Sequence, residues 1–215
     1  MAIQENLISD RYENNNLPEK RLNSIQTKWL STFLNDPSIK YEEVSHCPLC
    51  DSENAILIAK KDRYGIPLRT VICEKCGLVR SYEQLTETSQ KLFYEKYYRN
   101  IDEGLETHLE AINERYRQGG LNYIPKFLSK KDVVVEIGCG GGWNLMPYHK
   151  KGYTYCGFDY NEAFIKLGRS KGLNLYVGSI EEASKMRIKA DYVILNQVLE
   201  HVKNPVIFLN ELKKY

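Results

Sequence analysis

The stretch Val-Val-Val-Glu-Ile-Gly-Cys-Gly-Gly-Gly, residues 133–142, decides the fold of this chain. β-branched residues followed by an acid and a run of glycines predict a buried strand that ends abruptly at a tight turn. The G-x-G-x-G spacing lets the backbone adopt positive φ and lets a ligand approach the main chain. Residues 143–151 predict the next helix, with Pro147 in its first turn or at a kink. Taken alone, the glycines are also compatible with a tight turn that binds nothing.

The residues after this turn continue an alternation of strands and helices. A strand over 153–158 ends in Asp159, 19 residues after Gly140. An acid at the tip of the neighbouring parallel strand can bind both hydroxyls of a ribose. Asn161 is a helix cap, and Gly172 is the stop of that helix after Lys171. The chain therefore predicts an α/β fold with a nucleoside pocket.

Two more strands and a last helix complete this part of the chain. Residues 173–177 predict the third strand, and residues 190–195 predict the fourth. The fourth strand is apolar at nearly every position, as expected for a strand covered on both faces. Residues 206–214 then predict a helix. With the strand before the glycine turn and the strand over 153–158, these two make four parallel strands.

Three segments in order carry a family resemblance. They are the glycine turn, Gly-Phe-Asp-Tyr-Asn at 157–161, and Asp-Tyr-Val-Ile-Leu-Asn-Gln-Val-Leu-Glu-His-Val at 191–202. They resemble the successive motifs of class I S-adenosylmethionine-dependent methyltransferases, whereas a dinucleotide fingerprint has G-x-G-x-x-G. The resemblance implies a Rossmann-like methyltransferase sheet that binds S-adenosylmethionine. The other interpretation is a doubly wound sheet that binds a different nucleotide.

The resemblance implies a role for each matching position in the first two motifs. Glu136 would hold the amino-acid end of the cofactor, directly or through water. Gly138 and Gly140 would let the backbone approach the cofactor. Asp159 would bind its ribose.

The loops after the third and fourth strands would complete the cofactor site. By the resemblance, Ser179 and Ile180 would face the adenine together with Glu181. Family members often have an aspartate in place of Ser179, which leaves the contact to the exocyclic amine open between Glu181 and backbone. Asn196 and Gln197 would lie beneath the transferring methyl group.

Two further side chains are candidates for the chemistry. A general base is needed if the acceptor is a hydroxyl. His201 is the candidate, since its ordinary pKa is near neutrality, with a structural role at the start of a helix as the alternative and Glu200 as a weaker candidate. Before the first strand, a hydroxyl from Tyr98 or Tyr97 is a candidate contact for the methionine end of the cofactor; core packing is the other interpretation of this aromatic run.

A second motif lies nearer the amino terminus. Two C-x-x-C pairs separated by 22 residues have the spacing of a zinc ribbon, in which four thiolates close a tetrahedron. A complete thiolate shell predicts structural and not catalytic Zn²⁺. The predicted ligands are Cys47, Cys50, Cys73 and Cys76.

The residues around these cysteines fit two knuckles on a strand pair. Asp51 and Gly77 follow the second cysteine of each pair, where positive φ helps the chain to turn back. Strands are predicted over 55–59 and 68–72. His46, beside the first ligand, is predicted to be a bystander because the cysteines already complete the shell.

The amino-terminal part of the chain precedes this ribbon. Residues 1–16 are polar and are expected to be loose. Leu22, Ile25, Trp29 and Phe33 then recur at helical spacing and predict an amphipathic helix that ends before residue 36. Its apolar stripe is expected to pack on the protein, with a dimer contact as the alternative.

These patterns divide the chain into four segments. Residues 1–44 form a polar segment with the amphipathic helix, 45–84 the zinc ribbon, 85–130 a helical linker or lid, and 131–215 a partial S-adenosylmethionine-binding domain. A class I domain has seven strands, and four are predicted here. We therefore expect a longer intact enzyme. The three explanations are a segment of a longer protein, a truncated gene product, or a half-domain completed by a partner. For the partner, the alternatives are a homodimer and a missing carboxyl-terminal half that completes the sheet.

Composition limits the substrate. The formal net charge of +2 lacks the strongly basic balance of nucleic-acid binders. No signal peptide or membrane span is predicted, so a cytoplasmic location is expected. A chain with a zinc ribbon ahead of these motifs is similar to methyltransferases that have an amino-terminal zinc-binding domain and modify sugars. This resemblance implies that the methyl acceptor is a nucleotide sugar or a polysaccharide precursor. The alternatives are a zinc-ribbon binding module with a vestigial nucleotide fold, and an RNA methyltransferase. Oxygen and carbon acceptors both stay open.

Overall fold

The computed structural model describes residues 3–15, 17–102, 105–119 and 124–214. The chain divides into two compact units, Met1–Gly104 and Leu105–Tyr215, called unit 1 and unit 2 below. The division falls inside the segment 85–130. Each unit has its own hydrophobic core. Among the described helices, none has the length and apolar character needed to cross a membrane.

Unit 1 contains two small sheets and a helical segment. Its strands are β1 (Gln4–Glu5), β2 (Tyr41–Glu43), β3 (Ala55–Lys61), β4 (Pro67–Cys73), β5 (Val79–Ser81) and β6 (Glu83–Leu85). Its α-helices are α1 (Ser24–Leu34), α2 (Glu87–Leu92) and α3 (Tyr98–Asp102), and a π-helical turn, Phe93–Tyr97, joins α2 to α3. The sheet order is β1-β3-β4-β5, and β2 pairs with β6. The antiparallel pair of β3 and β4 confirms the two predicted ribbon strands.

The expectation that residues 1–16 are loose is wrong where the structure describes them. β1 pairs in parallel with β3. Ile3 and Leu7 pack against the buried side chains of Leu57 and Val71. The sequence does not predict this strand, because two apolar residues in a polar stretch suffice to cover one face of a small sheet.

The predicted amphipathic helix is present as α1, but its buried face differs. Asn23 caps it in a capping box with Gln26. Phe33 is only 2% exposed, whereas Ile25, expected on the buried stripe, is 62% exposed. Gln26 takes the buried position instead, since its Nε2 donates to the backbone carbonyl of Ile101 at 3.1 Å. A polar side chain on the buried face breaks the apolar pattern from which the stripe was predicted.

Unit 2 contains one parallel sheet. Its strands are β7 (Val133–Ile137), β8 (Thr154–Asp159), β9 (Leu175–Val177) and β10 (Tyr192–Ile194), and its α-helices are α4 (Leu105–Arg117), α5 (Met146–Lys150), α6 (Glu162–Ser170), α7 (Ile180–Lys185) and α8 (Pro205–Leu212). The order is β10-β7-β8-β9 and every pair is parallel. This confirms the predicted four-stranded α/β arrangement. β10 is predicted to be covered on both faces; its residues are instead half-buried, because it ends the sheet within the described residues.

Local signals set the ends of the helices in unit 2. Asn161 accepts a hydrogen bond from the backbone N–H of Phe164 at 3.1 Å, which confirms the predicted cap of α6. Gly172 has a φ of +82° just after that helix, as predicted for a stop. The helix predicted over 143–151 begins only at Met146, because the glycine turn continues to that point, and Pro147 lies in its first turn.

Candidate functional site

The loop between β7 and α5 carries the glycine pattern. Gly138 and Gly140 have φ values of +69° and +55°, which confirms the prediction of positive φ. A Cβ on Gly138 would lie 2.6 Å from Cγ2 of Val198, and one on Gly140 would lie 2.8 Å from the indole of Trp143. These two positions require glycine for both backbone conformation and space.

Asp159 is the last residue of β8 and lies against this loop. Its Oδ2 accepts a hydrogen bond from the backbone N–H of Gly140 at 2.8 Å. Its Oδ1 accepts from the backbone N–H of Asn161 at 2.8 Å. The carboxylate is therefore oriented at the carboxyl end of the sheet, where open α/β sheets bind their ligands.

Glu136 is buried beneath the same loop. The residue is 0% exposed, and its Oε1 accepts a hydrogen bond from Nδ2 of Asn144 at 2.7 Å. Burial raises the pKa of the Glu136 carboxyl to about 8; the charge of Asp159 adds to the rise, and the Asn144 hydrogen bond opposes it. With no cation near it, the carboxyl of Glu136 therefore stays protonated to a higher pH than an ordinary carboxyl does.

The remaining predicted cofactor residues in unit 2 lie after the two outer strands. Ser179 and Ile180 stand at the start of α7, just after β9, and Ile180 is buried. Asn196 and Gln197 follow β10 and are exposed. Gln197 has a φ of +57°, a strained conformation that often accompanies functional sites. Because the four strands are parallel, their carboxyl ends bring these residues, Glu136 and Asp159 to one edge of the sheet.

The candidate base is in unit 2, and the candidate tyrosines are in unit 1. His201 is exposed and ends a short 3₁₀ turn, Leu199–His201. Tyr98 is half-buried in unit 1, where its ring lies 5.3 Å from that of Tyr94. Tyr97 is fully buried in unit 1, and its hydroxyl donates to Oδ2 of Asp36 at 2.5 Å.

Three neighbours of the glycine loop escaped the sequence analysis. Asn144 binds Glu136, Val198 touches Gly138, and the hydroxyl of Tyr116 donates to the backbone carbonyl of Gly141. The sequence offers one signal for Asn144, its position two residues after Gly142, the last glycine of the G-x-G-x-G pattern. The contacts of Tyr116 and Val198 are long-range and have no local signature.

The two C-x-x-C pairs of unit 1 form one cluster. All four sulfur atoms lie within 4.8 Å of one another; those of Cys47 and Cys76 are 3.5 Å apart, and those of Cys50 and Cys73 are 3.6 Å apart. A tetrahedron with Zn–S bonds of about 2.3 Å has edges of about 3.8 Å, so this spacing fits a zinc ion. The four residues are Cys47, Cys50, Cys73 and Cys76.

The turns that hold these cysteines have the predicted geometry. Asp51 and Gly77 have φ values of +58° and +76°. Their backbone N–H groups donate to the carbonyl oxygens of Cys47 and Cys73, each at 2.8 Å. His46 lies outside the cluster, and its imidazole faces the carboxylates of Asp51 and Glu53 at 3.4 and 3.1 Å.

Three proteins are among the solved structures that are similar to this chain. PKMT2 from Rickettsia typhi in complex with AdoHcy is 26% identical over 40% of this chain and 19% of its own, with a TM-score of 0.36. The plantazolicin methyltransferase BpumL in complex with SAH is 20% identical over 60% of this chain and 49% of its own, with a TM-score of 0.36. A SAM-dependent methyltransferase from Thermotoga maritima, described as a possible histamine N-methyltransferase, is 20% identical over 50% of this chain and 51% of its own, with a TM-score of 0.35.

The chain thus spans about half the length of these relatives or less. A comparison with curated proteins finds no match. A family model described as a methyltransferase domain matches residues 108–215, which include all four strands of the parallel sheet. Because this match covers just over half of the 215 residues, the chain belongs to the methyltransferase-domain family.

Proposed function

We propose that this chain binds S-adenosylmethionine and transfers its methyl group to a small carbohydrate-type acceptor, such as a nucleotide sugar or a polysaccharide precursor. The observation that carries the proposal is the contact of Asp159 with the glycine loop at the carboxyl end of the sheet. An acid in this place can take ribose hydroxyls while the glycine backbone admits the rest of the nucleoside.

The residues of this edge fit such a cofactor. Within the described residues, Oε2 of Glu136 is buried and has no hydrogen-bond partner, so the site offers an acceptor that a donor on the ligand would satisfy. Asp159 would bind the ribose and Glu136 the amino-acid end. The residues proposed for the remaining contacts are Gly138, Gly140, Ser179, Ile180, Asn196 and Gln197.

When bound, the cofactor supplies an electrophilic methyl group on a positively charged sulfur. The protein's contribution is then mainly to position the acceptor in line with that methyl. For a hydroxyl acceptor, we propose that the imidazole of His201 removes the proton. Its exposure leaves room for an acceptor from solvent.

We also propose that the cysteine cluster holds a structural Zn²⁺ in unit 1. Four thiolates complete a tetrahedral shell and leave no open position for a substrate. The near-neutral charge of the chain supports a small-molecule acceptor over a polynucleotide.

Calorimetric titration with S-adenosylmethionine tests the cofactor, and transfer of a labelled methyl group to a panel of nucleotide sugars tests the acceptor. We expect one-to-one saturable binding that Asp159→Ala weakens. Absence of binding by the folded, zinc-replete chain would overturn the cofactor proposal. Partner binding that survives Asp159→Ala but fails on Cys73→Ser would indicate an interaction module instead. Steeply salt-dependent RNA binding would indicate an RNA substrate.

A further inference from the structure

Unit 2 carries a row of exposed positive side chains along the amino-terminal edge of its parallel sheet, opposite the candidate site. Residues 105–215 contain 16 Lys and Arg against 12 Asp and Glu, whereas residues 1–104 contain 14 against 16. The row consists of exposed residues that shortly precede the four strands. They are Lys130 and Lys131 before β7, Lys150 and Lys151 before β8, Lys171 before β9, and Arg187 and Lys189 before β10. Because neighbouring strands lie about 4.8 Å apart, the row spans about 14 Å.

The charges of this row are not neutralised by neighbouring acids. Ion pairs elsewhere in unit 2 join residues three apart on one helix, as in Arg117 with Glu114. Within the described part of the chain, none of the seven residues of the row forms an ion pair. The acids of the same connections, Asp132 and Asp191, accept hydrogen bonds from backbone N–H groups instead.

Stabilisation of helix ends does not account for the whole row. Lysines at the ends of α5 and α6 interact favourably with the helix dipoles. Lys130 and Lys131 lie instead in a turn before β7, where the backbone N–H of Asp132 donates to the carbonyl of Ser129 at 3.1 Å. This turn presents two positive charges for which the fold offers no partner among the described residues.

Exposed apolar side chains lie at the same edge. Phe127 is 76% exposed and Met186 is 39% exposed. The ring of Phe127 lies 5.8 Å from that of Tyr192, the first residue of β10. A hydrogen bond from the N–H of Leu128 to the carbonyl of Pro125 closes the turn that carries Phe127, and Leu128 packs on the core. The turn therefore holds a large apolar ring in solvent beside the lysines, which is typical of an interaction surface.

This combination fits the surface of a membrane with anionic lipids. Lysine ammonium groups are attracted to anionic headgroups without a fixed geometry, and an aromatic ring inserts at the boundary of headgroups and acyl chains. Bidentate phosphate binding and base readout favour arginine, whereas six of the seven cations are lysines. We infer that this basic edge of unit 2 binds an anionic lipid surface, with Phe127 inserted among the headgroups. The candidate site, at the opposite edge of the sheet, then faces away from the lipid.

Co-sedimentation of the full chain with lipid vesicles tests the inference. Vesicles of phosphatidylcholine alone are compared with vesicles that also contain about 30% phosphatidylglycerol, an anionic lipid. One variant combines Lys130→Gln with Lys131→Gln. Its matched control combines Lys28→Gln with Lys166→Gln, which removes two exposed lysines from α1 and from the middle of α6. The other variant is Phe127→Ala, and thermal unfolding checks that each protein is folded.

We expect binding to the anionic vesicles only, and weaker binding as salt rises. Loss of Lys130 and Lys131 should weaken it about 10- to 30-fold, since each lysine near an anionic surface is worth about five-fold in affinity. The control should stay within about two-fold, because charges farther from the lipid are screened. Phe127→Ala should weaken binding about five- to ten-fold through lost apolar burial.

Three results would overturn the inference. They are no binding of the wild-type chain to anionic vesicles, equal weakening by the two double variants, and tighter binding to single-stranded RNA than to vesicles at equal phosphate concentration with no effect of Phe127→Ala. The last result would identify a polynucleotide as the partner. Vesicle binding should be unchanged in Asp159→Ala, so its outcome is independent of cofactor binding and of the proposed function.

Discussion

The backbone N–H of Gly140 donates to Oδ2 of Asp159 at 2.8 Å. The same kind of bond occurs at the other end of β7, where the backbone N–H of Val133 donates to Oδ2 of Asp191 at 2.8 Å. One strand thus has an aspartate bond at each end. Only the bond at its carboxyl end lies in the proposed site, which gives a matched pair of residues for mutation.

We expect Asp159→Ala to weaken binding of S-adenosylhomocysteine about 10- to 100-fold, because two ribose hydroxyls lose a charged acceptor. Asp191→Ala should leave that affinity within about two-fold. Each variant should lose roughly 0.5–1.5 kcal/mol of unfolding free energy, the usual worth of a hydrogen bond. Calorimetry and urea unfolding measure the two quantities. Equal losses of affinity in both variants would contradict the ribose assignment.

The raised pKa of Glu136 predicts an unusual pH dependence of stability. Between the ordinary carboxyl pKa of 4.5 and the folded value of about 8, the folded state holds the proton more often than the unfolded state. Stability should therefore fall as pH rises through this window. The side chain of the Glu136→Gln variant cannot titrate. As pH rises through this window, the unfolding free energy of the variant should therefore increase relative to that of wild type by up to about 1.4 kcal/mol per pH unit.

The measurement is urea unfolding at about pH 5.5 and about pH 8 in a Trp29→Phe background. Trp143 then reports on unit 2 alone, because the chain has two tryptophans and Trp29 lies in unit 1. The titratable groups that affect this site are Asp159 and Cys139, and burial raises the thiol pKa of Cys139 well above its usual value. If the difference in unfolding free energy between Glu136→Gln and wild type were the same at both pH values, Glu136 would be ionised in the folded protein at both.

The sequence predicts those parts of the fold that depend on local signals. The cap at Asn161 and the stop at Gly172 use side chains and φ values set within a few residues. Partners that arise from tertiary contacts escape prediction. Gln26 is buried because it bonds to a carbonyl 75 residues away, and Val198 meets Gly138 only once β10 lies beside β7.

The candidate site divides in the same way. Glu136 and Asp159 are recognisable because each follows a strand pattern and flanks the glycines. Asn144 is not, because a lone asparagine after a glycine turn is common and its meaning depends on one hydrogen bond. The sequence does not distinguish Tyr97 from Tyr98, which are neighbours in one aromatic run. The structure does, because tertiary packing buries Tyr97 fully.

The cysteine cluster predicts one bound zinc ion per chain, lost in Cys73→Ser. Removal of one thiolate leaves an incomplete shell, so unit 1 should lose stability while unit 2 does not. Cys156→Ser is the control, since this thiol is buried in unit 2. Elemental analysis gives the metal content, and in a Trp143→Phe background Trp29 fluorescence follows unit 1. Equal zinc in Cys73→Ser and wild type would contradict the assignment.

A final prediction concerns the space at Gly138. Gly138 and Gly152 have nearly the same φ, +69° and +70°, but an added Cβ meets Val198 at the first and nothing within 4 Å at the second. Gly152→Ala should therefore cost about 1–2 kcal/mol of unfolding free energy from the backbone alone. Gly138→Ala should cost about 1–3 kcal/mol more, because the methyl overlaps a packed side chain.

Val198→Ala distinguishes these two costs. In the Val198→Ala background, Gly138→Ala should lower the unfolding free energy only by the backbone cost, because the overlap with the side chain at 198 is gone. The effects of Gly152→Ala and Val198→Ala on the unfolding free energy should be additive. Urea unfolding of the six proteins, followed by Trp143 fluorescence, gives both coupling energies. If the Gly138 and Val198 substitutions were additive, the two residues would not be in contact in the folded chain, and β10 would not hold the loop at 196–198 over the glycines.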